Sequence, residues 1–294
     1  LGSSGQLGQV LKEKAINAID EENIQLLCPT KDELDLTKRD SCINFIKKHN
    51  PSWTINSAAY TKVDQAESEP EKAYMINAKS LLFLSETLRE YGGKLIHIST
   101  DSIFHSEEKK LFKTTDKANP VNIYGKSKLQ GETYIKNILF ETKQAYIIRT
   151  SWLMGQKGSN FLKSIIHLHK TKRKFKVVSD QTGFLTSSSS LADFCWNLIN
   201  IEKSKKNLPQ IIHWCDGGET NWYEIASFIG ELGESIGIIK KKSKIEPITL
   251  SDYPAPAKRS LYSLLEFSNE LNKYNIFQEN RQEKLKKEIE LYKI

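Results

Sequence analysis

The chain has 294 residues, 38% of them hydrophobic and 27% charged, with a formal net charge of +7. That balance excludes a disordered chain and gives ample length for a buried core. The positive charge is scattered, as in "KTKRK" (170–174) and "KKKSK" (240–244), which reads as solvated surface and not as a nucleic-acid stripe. Cys28, Cys42, Cys195 and Cys215 form no CxxC pair and are expected to be free thiols of a reducing compartment. The six histidines make no ligand pairs with acids or cysteines, so no catalytic metal is expected. No stretch approaches the ~18 apolar residues of a membrane span and no signal peptide is seen, which places the expected location in the cytoplasm.

The chain opens on "LGSSGQLGQVLKEK", with Gly2, Gly5 and Gly8 spaced three apart before a helical pattern. Glycines in a strand–loop–helix turn let backbone amides approach a diphosphate, and the helix N-terminus adds partial positive charge there. The plain alternative is a Gly/Ser-rich terminus. Only Leu1 stands before this loop, so the first strand of such a unit is expected to lie upstream.

Short apolar runs then alternate with amphipathic ones. "NIQLLCP" (23–29), "WTINSAA" (53–59), "KLIHIST" (94–100) and "AYIIRTSW" (145–152) read as strands. A helix starts near Pro70 with Ala73, Leu81, Leu84 and Leu88 on its apolar face, and Gly92 and Gly93 stop it. Strands separated by helices predict a parallel sheet covered on both faces, which binds ligands beyond the carboxyl ends of its strands. After residue 150, "GSNFLKSIIHLHKT", "SLADFCWNLINIEK" and "NRQEKLKKEIELYKI" read as helices, "KFKVVSD" and "QIIHWCD" as strands, and "DYPAPAKRS" as a proline-rich loop. His167 and His169, two apart on the first of these, should point to different sides.

"NIYGKSKLQGE" carries Tyr124 and Lys128, four apart and so on one face if this is a helix. An ammonium beside a phenol would lower the phenol's pKa and ready it for proton transfer to a forming alkoxide. In isolation the pair is better read as a surface helix. Its position after a strand ending in Ser99-Thr100-Asp101, where a hydroxyl can hold a carbonyl oxygen, favours the catalytic reading.

Taken together, these motifs make the chain resemble the dTDP-4-dehydrorhamnose reductase family of extended short-chain dehydrogenases. The residues carrying the likeness are "GSSGQLG", "AAYTKVDQAESEPEKAYMINA" (58–78), "STDSIF", "PVNIYGKSKLQGE", "RTSWLMG", "DQTGFLT", "ETNWYEIA" and "YPAPAKRSLYSLL", in family order over nearly the whole chain. The resemblance implies an α/β doubly wound parallel sheet of Rossmann type over 1–150, with a smaller, partly interleaved substrate lobe over 151–294. It implies a Thr100–Tyr124–Lys128 triad and a cofactor site of Gly2, Gly5, Gln6, Leu7, Gly8, Asp35, Leu36, Ala58, Ala59 and Tyr60. Asp101, Trp152, Lys258 and Arg259 would face the nucleotide sugar, alongside Thr100. Simpler readings stand beside these: Trp152 as core packing, Asp35 as a helix cap, Lys258 and Arg259 as surface decoration. The implied activity is reduction of the C4 ketone of dTDP-4-dehydro-L-rhamnose to dTDP-L-rhamnose, feeding surface polysaccharide synthesis, by a protein that a homodimer would suit.

The chain departs from the family pattern at three places. Ser102 stands where a tyrosine is expected, His105 where an acid is expected, and Phe184-Leu185 replaces a small residue and proline. These changes leave open a reductase of another nucleotide-linked 4-keto-6-deoxy sugar, and a non-catalytic nucleotide-binding subunit is the further alternative. "LLCPTK" presents no carboxylate to select the ribose diol of NAD, and Lys31 could attract a 2′-phosphate, so NADPH is expected, with NADH as the alternative.

Overall fold

The computed structural model describes residues 1–18, 25–204 and 208–293. Its centre is a four-stranded parallel sheet of β1 (Trp53–Asn56), β2 (Lys94–Thr100), β3 (Ala145–Thr150) and β6 (Ile211–His213), in the order β1-β2-β3-β6. The middle strands are buried on both faces, as a parallel sheet requires. Beside β1, on the edge away from β2, lies Leu1. Its nitrogen donates to Ile55 O at 2.7 Å and its carbonyl accepts from Ser57 N at 3.2 Å.

One face of the sheet is covered by α1 (Gln6–Ala18) and α6 (Ser188–Lys203), which pack together around Leu7, Leu11, Ile96, Ile148, Phe194 and Trp214. Trp196 Nε1 donates to Leu11 O, and Lys14 pairs with Asp193 at 2.7 Å. The other face is covered by α2 (Arg39–His49), α3 (Ser80–Tyr91) and α4 (Ile123–Leu139), with Leu81, Leu84, Leu88, Leu95, Ile135 and Ile147 in the core between them. The Pro70–Tyr91 segment is helical, as its pattern predicts, but it passes through a π turn at Met75–Lys79. This turn brings Asn77 inward. Its Nδ2 donates to Tyr60 O and Ser127 Oγ, while its Oδ1 accepts from Tyr60 N.

A second core collects α5 (Phe161–Thr171), α7 (Trp222–Ser235) and α8 (Arg281–Glu290) around Ile165, Ile166, Val177 and Ile229. Here β4 (Lys174–Val178) pairs in parallel with β8 (Lys244–Ile248), and β5 (Thr182–Phe184) lies between β7 (Glu219–Asn221) and β9 (Tyr262–Leu265). His169 is buried in this core and His167 faces solvent, the divergence expected of helix neighbours two apart.

One predicted strand is corrected. Residues 25–29 of "NIQLLCP" are not in a strand, and the remaining two lie outside the described residues. Residues 25–29 pair with none of the described strands, and the chain turns directly after them, where the Thr30 amide and hydroxyl both donate to Glu33 Oε2.

Candidate active site

The loop before α1 is tight. Gly2 has φ +75°, and a Cβ on it would meet Ala58 N at 2.6 Å. A Cβ on Gly8 would meet Gly2 O at 2.1 Å. Gly5 N closes the turn onto Gly2 O at 3.0 Å, and α1 starts at the next residue, so its first amides lack intrahelical acceptors. Gln6 Nε2 is buried without a hydrogen-bond partner among the described residues. An unpartnered buried donor, orphan helix amides and a loop whose glycines bare the backbone fit the anionic end of a dinucleotide. Leu7 differs from its expected role, because its side chain fills the core and only its backbone amide can serve the loop.

Ala58 sits directly on Gly2, and Ala59 follows it. Tyr60 is buried, and its hydroxyl is taken by Glu69 Oε2 at 2.8 Å. Asp35 Oδ1 accepts from both the amide and the hydroxyl of Thr37, a local turn. Leu36 is partly buried beside it, and Lys31 is exposed.

At the carboxyl end of β2 the Thr100 side chain accepts from Ser102 N at 3.1 Å and donates to Asp101 Oδ1 at 3.0 Å. Asn122 caps α4 by accepting from Gly125 N, and its Nδ2 holds Lys258 O of the proline-rich loop at 2.9 Å. A Cβ on Gly125 would meet Ser102 O at 2.2 Å, so only glycine lets the start of α4 lie against the turn after Thr100. This packing brings Tyr124 to Thr100.

The pKa expectation for the pair is corrected. Lys128 turns into the sheet, donating to Ile98 O at 2.7 Å and standing 3.0 Å from His97 Nε2. Tyr124 is pushed up to about 12 by burial; a hydrogen bond with Thr100 works the other way, and the charge of Asp101 adds to the rise. Burial brings Lys128 down to about 8, against the pull of Glu132. In this arrangement desolvation outweighs the attraction between cation and phenolate.

Beyond Thr100 opens a cleft of about 460 Å³. Asp101, Trp152 and Arg259 line it as expected, and Lys258 does not; its side chain is exposed. Trp152 has φ +39°, a left-handed conformation unusual for a tryptophan. It stacks on Trp222 with ring centroids 4.0 Å apart, and Trp222 Nε1 donates to Gln181 Oε1 at 2.8 Å. Trp222 and Gln181 also line the cleft, and the sequence reading did not single them out. The order of "DQTGFLT" and "ETNWYEIA" was the available signal. Arg259 is held at 2.7 Å by Asp64, which it keeps below the usual carboxylate range. Among the departures, Ser102 lines the cleft and His105 stands outside its wall. Phe184 and Leu185 are core residues, so they do not narrow the cleft.

Among the described residues, no group of three His, Cys, Asp or Glu side chains could hold a metal ion, and no helix is long and apolar enough to cross a membrane.

A parallel sheet with a glycine loop at one strand end and a Tyr-x-x-x-Lys helix at another defines a protein of the short-chain dehydrogenase type. The chain belongs to the family described as RmlD substrate binding domain, whose model matches residues 1–294. It is 32% identical over 268 residues to a dTDP-4-dehydrorhamnose reductase of Aggregatibacter actinomycetemcomitans, covering 91% of this chain and 89% of that one. It is 34% identical over 264 residues to the spore coat polysaccharide biosynthesis protein SpsK of Bacillus subtilis, covering 90% and 87%. Among solved structures it resembles a dTDP-4-dehydrorhamnose reductase of Clostridium acetobutylicum, with TM-score 0.88, 34% identity and coverage of 100% and 98%. It also resembles that of Bacillus anthracis in complex with NADP, with TM-score 0.86, 30% identity and coverage of 99% and 97%.

Proposed function

We propose that this protein reduces the C4 ketone of dTDP-4-dehydro-L-rhamnose to dTDP-L-rhamnose with NADPH, in the cytoplasm, for polysaccharide synthesis. The observation that carries the reading is the contact of Tyr124 with Thr100 directly beside Asp101 and Ser102, which line a cleft of about 460 Å³. Four named reductase relatives at 30% identity or more support the substrate. The complex of the Bacillus anthracis relative with NADP supports the cofactor, as does the lack of a carboxylate in "LLCPTK" (26–31).

Residues 1–150 hold the dinucleotide, through the glycine loop, Gln6, Ala58 and Ala59 on one side and Lys128 on the other. When bound, the dinucleotide supplies the hydride. Residues 151–294 contribute most of the substrate cleft, where Trp152 and Trp222 offer a stacked apolar face and Arg259 a cation. In the substrate complex the Thr100 hydroxyl would turn its hydrogen from Asp101 Oδ1 to the ketone oxygen and hold it there. Tyr124 is the acid. With burial raising its pKa to about 12, it rests with its proton on, as the donor in a reduction must.

Tyr124→Phe tests this. Ketone-dependent NADPH oxidation should fall by roughly 10²–10⁴-fold, the usual worth of a positioned acid. Undiminished turnover would remove the proposed acid. Ser102 on the cleft wall favours one second reading, a reductase of another nucleotide-linked 4-keto-6-deoxy sugar. NMR identification of the product separates the two.

A further inference from the structure

Behind the Tyr–Lys pair a buried chain runs from Lys128 to two side chains, His97 and Asn56, that the proposed mechanism does not use. Asn56, at the end of β1, His97, in the middle of β2, and Lys128, on α4, are each no more than 2% exposed. Asn56 Nδ2 lies 3.3 Å from His97 Nδ1, and His97 Nε2 lies 3.0 Å from Lys128 Nζ. The hydrogen positions along this chain follow from one fixed end. Ala58 N donates to Asn56 Oδ1 at 3.1 Å, and a backbone amide can only donate. The other end of the Asn56 amide is therefore the NH₂ group, and it donates to His97 Nδ1.

A ring nitrogen that accepts carries no hydrogen. The neutral imidazole must then bear its hydrogen on Nε2, pointing at Lys128. An imidazolium would set N–H against N–H at Nδ1. An ammonium on Lys128 would do the same at Nε2, because it has no lone pair. A neutral amine fits: it accepts from His97 Nε2, donates to Ile98 O at 2.7 Å, and keeps one more hydrogen.

We propose that Asn56 and His97 are positioning residues that fix the proton inventory of Lys128, so that the lysine gives up its proton more readily than an ordinary lysine and holds it firmly only when a new acceptor faces it. This deepens the reductase reading and rests on it for its kinetic consequence alone. The charged and titratable groups that face the pair are Tyr124 and Glu132 on α4, one turn to either side of Lys128, Asp101 beyond the end of β2, and Arg149 on β3. Glu132 would favour an ammonium, but its carboxylate is taken by Arg149 at 2.8 Å. Burial acts in the same sense as the hydrogen-bond inventory, lowering both Lys128 and His97.

The test is NMR of the full-length protein without ligands, with labelled histidine rings and lysine Cε. The expected result is an Nε2–H tautomer at His97 and a Lys128 midpoint below that of the exposed lysines. In Asn56→Asp the carboxylate accepts at Nδ1, so the tautomer should flip and the Lys128 midpoint rise by roughly one pH unit or more. His97→Gln, whose side-chain oxygen can accept from an ammonium, should raise the midpoint too and serves if the first variant does not fold. An Nδ1–H tautomer or an imidazolium in the wild type, or a Lys128 midpoint unmoved in the folded variants, would overturn the proposal. These readouts need no substrate. A wild-type protein that lacks reductase activity but has the expected tautomer would sink the reductase reading alone.

Discussion

Arg149 on β3 grips Glu132 on α4 with two parallel hydrogen bonds, Nη2 to Oε2 at 2.8 Å and Nε to Oε1 at 3.0 Å, and neither side chain is more than 2% exposed. Ser99 on β2 adds a third bond to the same carboxylate at 2.6 Å. The pair therefore clamps the helix that carries Tyr124 and Lys128 against the strands that carry Thr100.

Breaking this clamp from one side should be costly. Arg149→Met leaves a buried carboxylate without its partner, at about 3–5 kcal/mol of stability. Replacing both residues together with apolar ones of similar volume should cost much less. Urea denaturation at pH 7 measures both. Burial alone would raise the Glu132 pKa, but the Arg149 bond and charge and the Ser99 bond bring it below its ordinary value. A lowered folded-state pKa means that the contribution is complete above the unfolded value of about 4.3 and fades as pH falls through the folded one. An equal loss in the single and double variants would refute the clamp.

The glycine loop predicts a contrast between neighbours. Gly8→Ala drives a methyl into Gly2 O at 2.1 Å and Ser3 Cα at 2.7 Å, whereas Gly5→Ala meets its nearest atom at 3.2 Å. Gly8→Ala should weaken NADPH binding at least tenfold, about 1.4 kcal/mol. Gly5→Ala should do so less through packing. Fluorescence titration of the two variants checks the order, and the reverse order would contradict the geometry.

Trp222→Ala removes the stack on Trp152 and the bond to Gln181 while leaving Tyr124, Lys128 and Thr100 in place. The expected effect is a KM for the sugar nucleotide raised by roughly tenfold, from an aromatic contact worth ~0.5–1.5 kcal/mol beyond its buried area, with kcat nearly kept. A fall in kcat with KM unchanged would show that the tryptophan belongs to the chemistry and not to the cleft.

The sequence made some of this legible, and physical reasons separate what it gave from what it hid. Tyr124 and Lys128 could be placed on one helix face because helical spacing is local. The strands at 94–100 and 145–150 were visible as apolar runs, and Trp152 came from its place in a motif. The strand reading failed over 25–29 because a strand needs a partner, and an apolar run does not show whether one lies beside it; these residues pair with none of the described strands. The Tyr124 pKa failed for a similar reason. Spacing shows that a lysine is near, but not that its ammonium turns to Ile98 and His97, nor how much water burial removes. Trp222 and Gln181 reach the cleft through contacts distant in the chain, which periodicity does not encode.

Asp101 yields the last prediction. It is 7% exposed, and burial raises its pKa from the ordinary 3.8 to about 6, against hydrogen bonds from Thr100, Ser263 and Ser102. Between those two values the folded protein keeps a proton that the unfolded chain has released. Stability must therefore fall as pH rises through this window, with the cost complete above about 6. At ~1.4 kcal/mol per pH unit, the window is worth about 2–3 kcal/mol. Asp101→Asn keeps an oxygen to accept from Thr100 and Ser102 but has no proton to lose, so its urea midpoint should vary less between pH 4 and 6 than that of the wild type. Because the same carboxylate holds the Thr100 hydroxyl hydrogen at 3.0 Å, kcat should change less than stability if the amide oxygen takes over that bond. A variant whose stability still falls as steeply as the wild type across this range would assign the slope to another group.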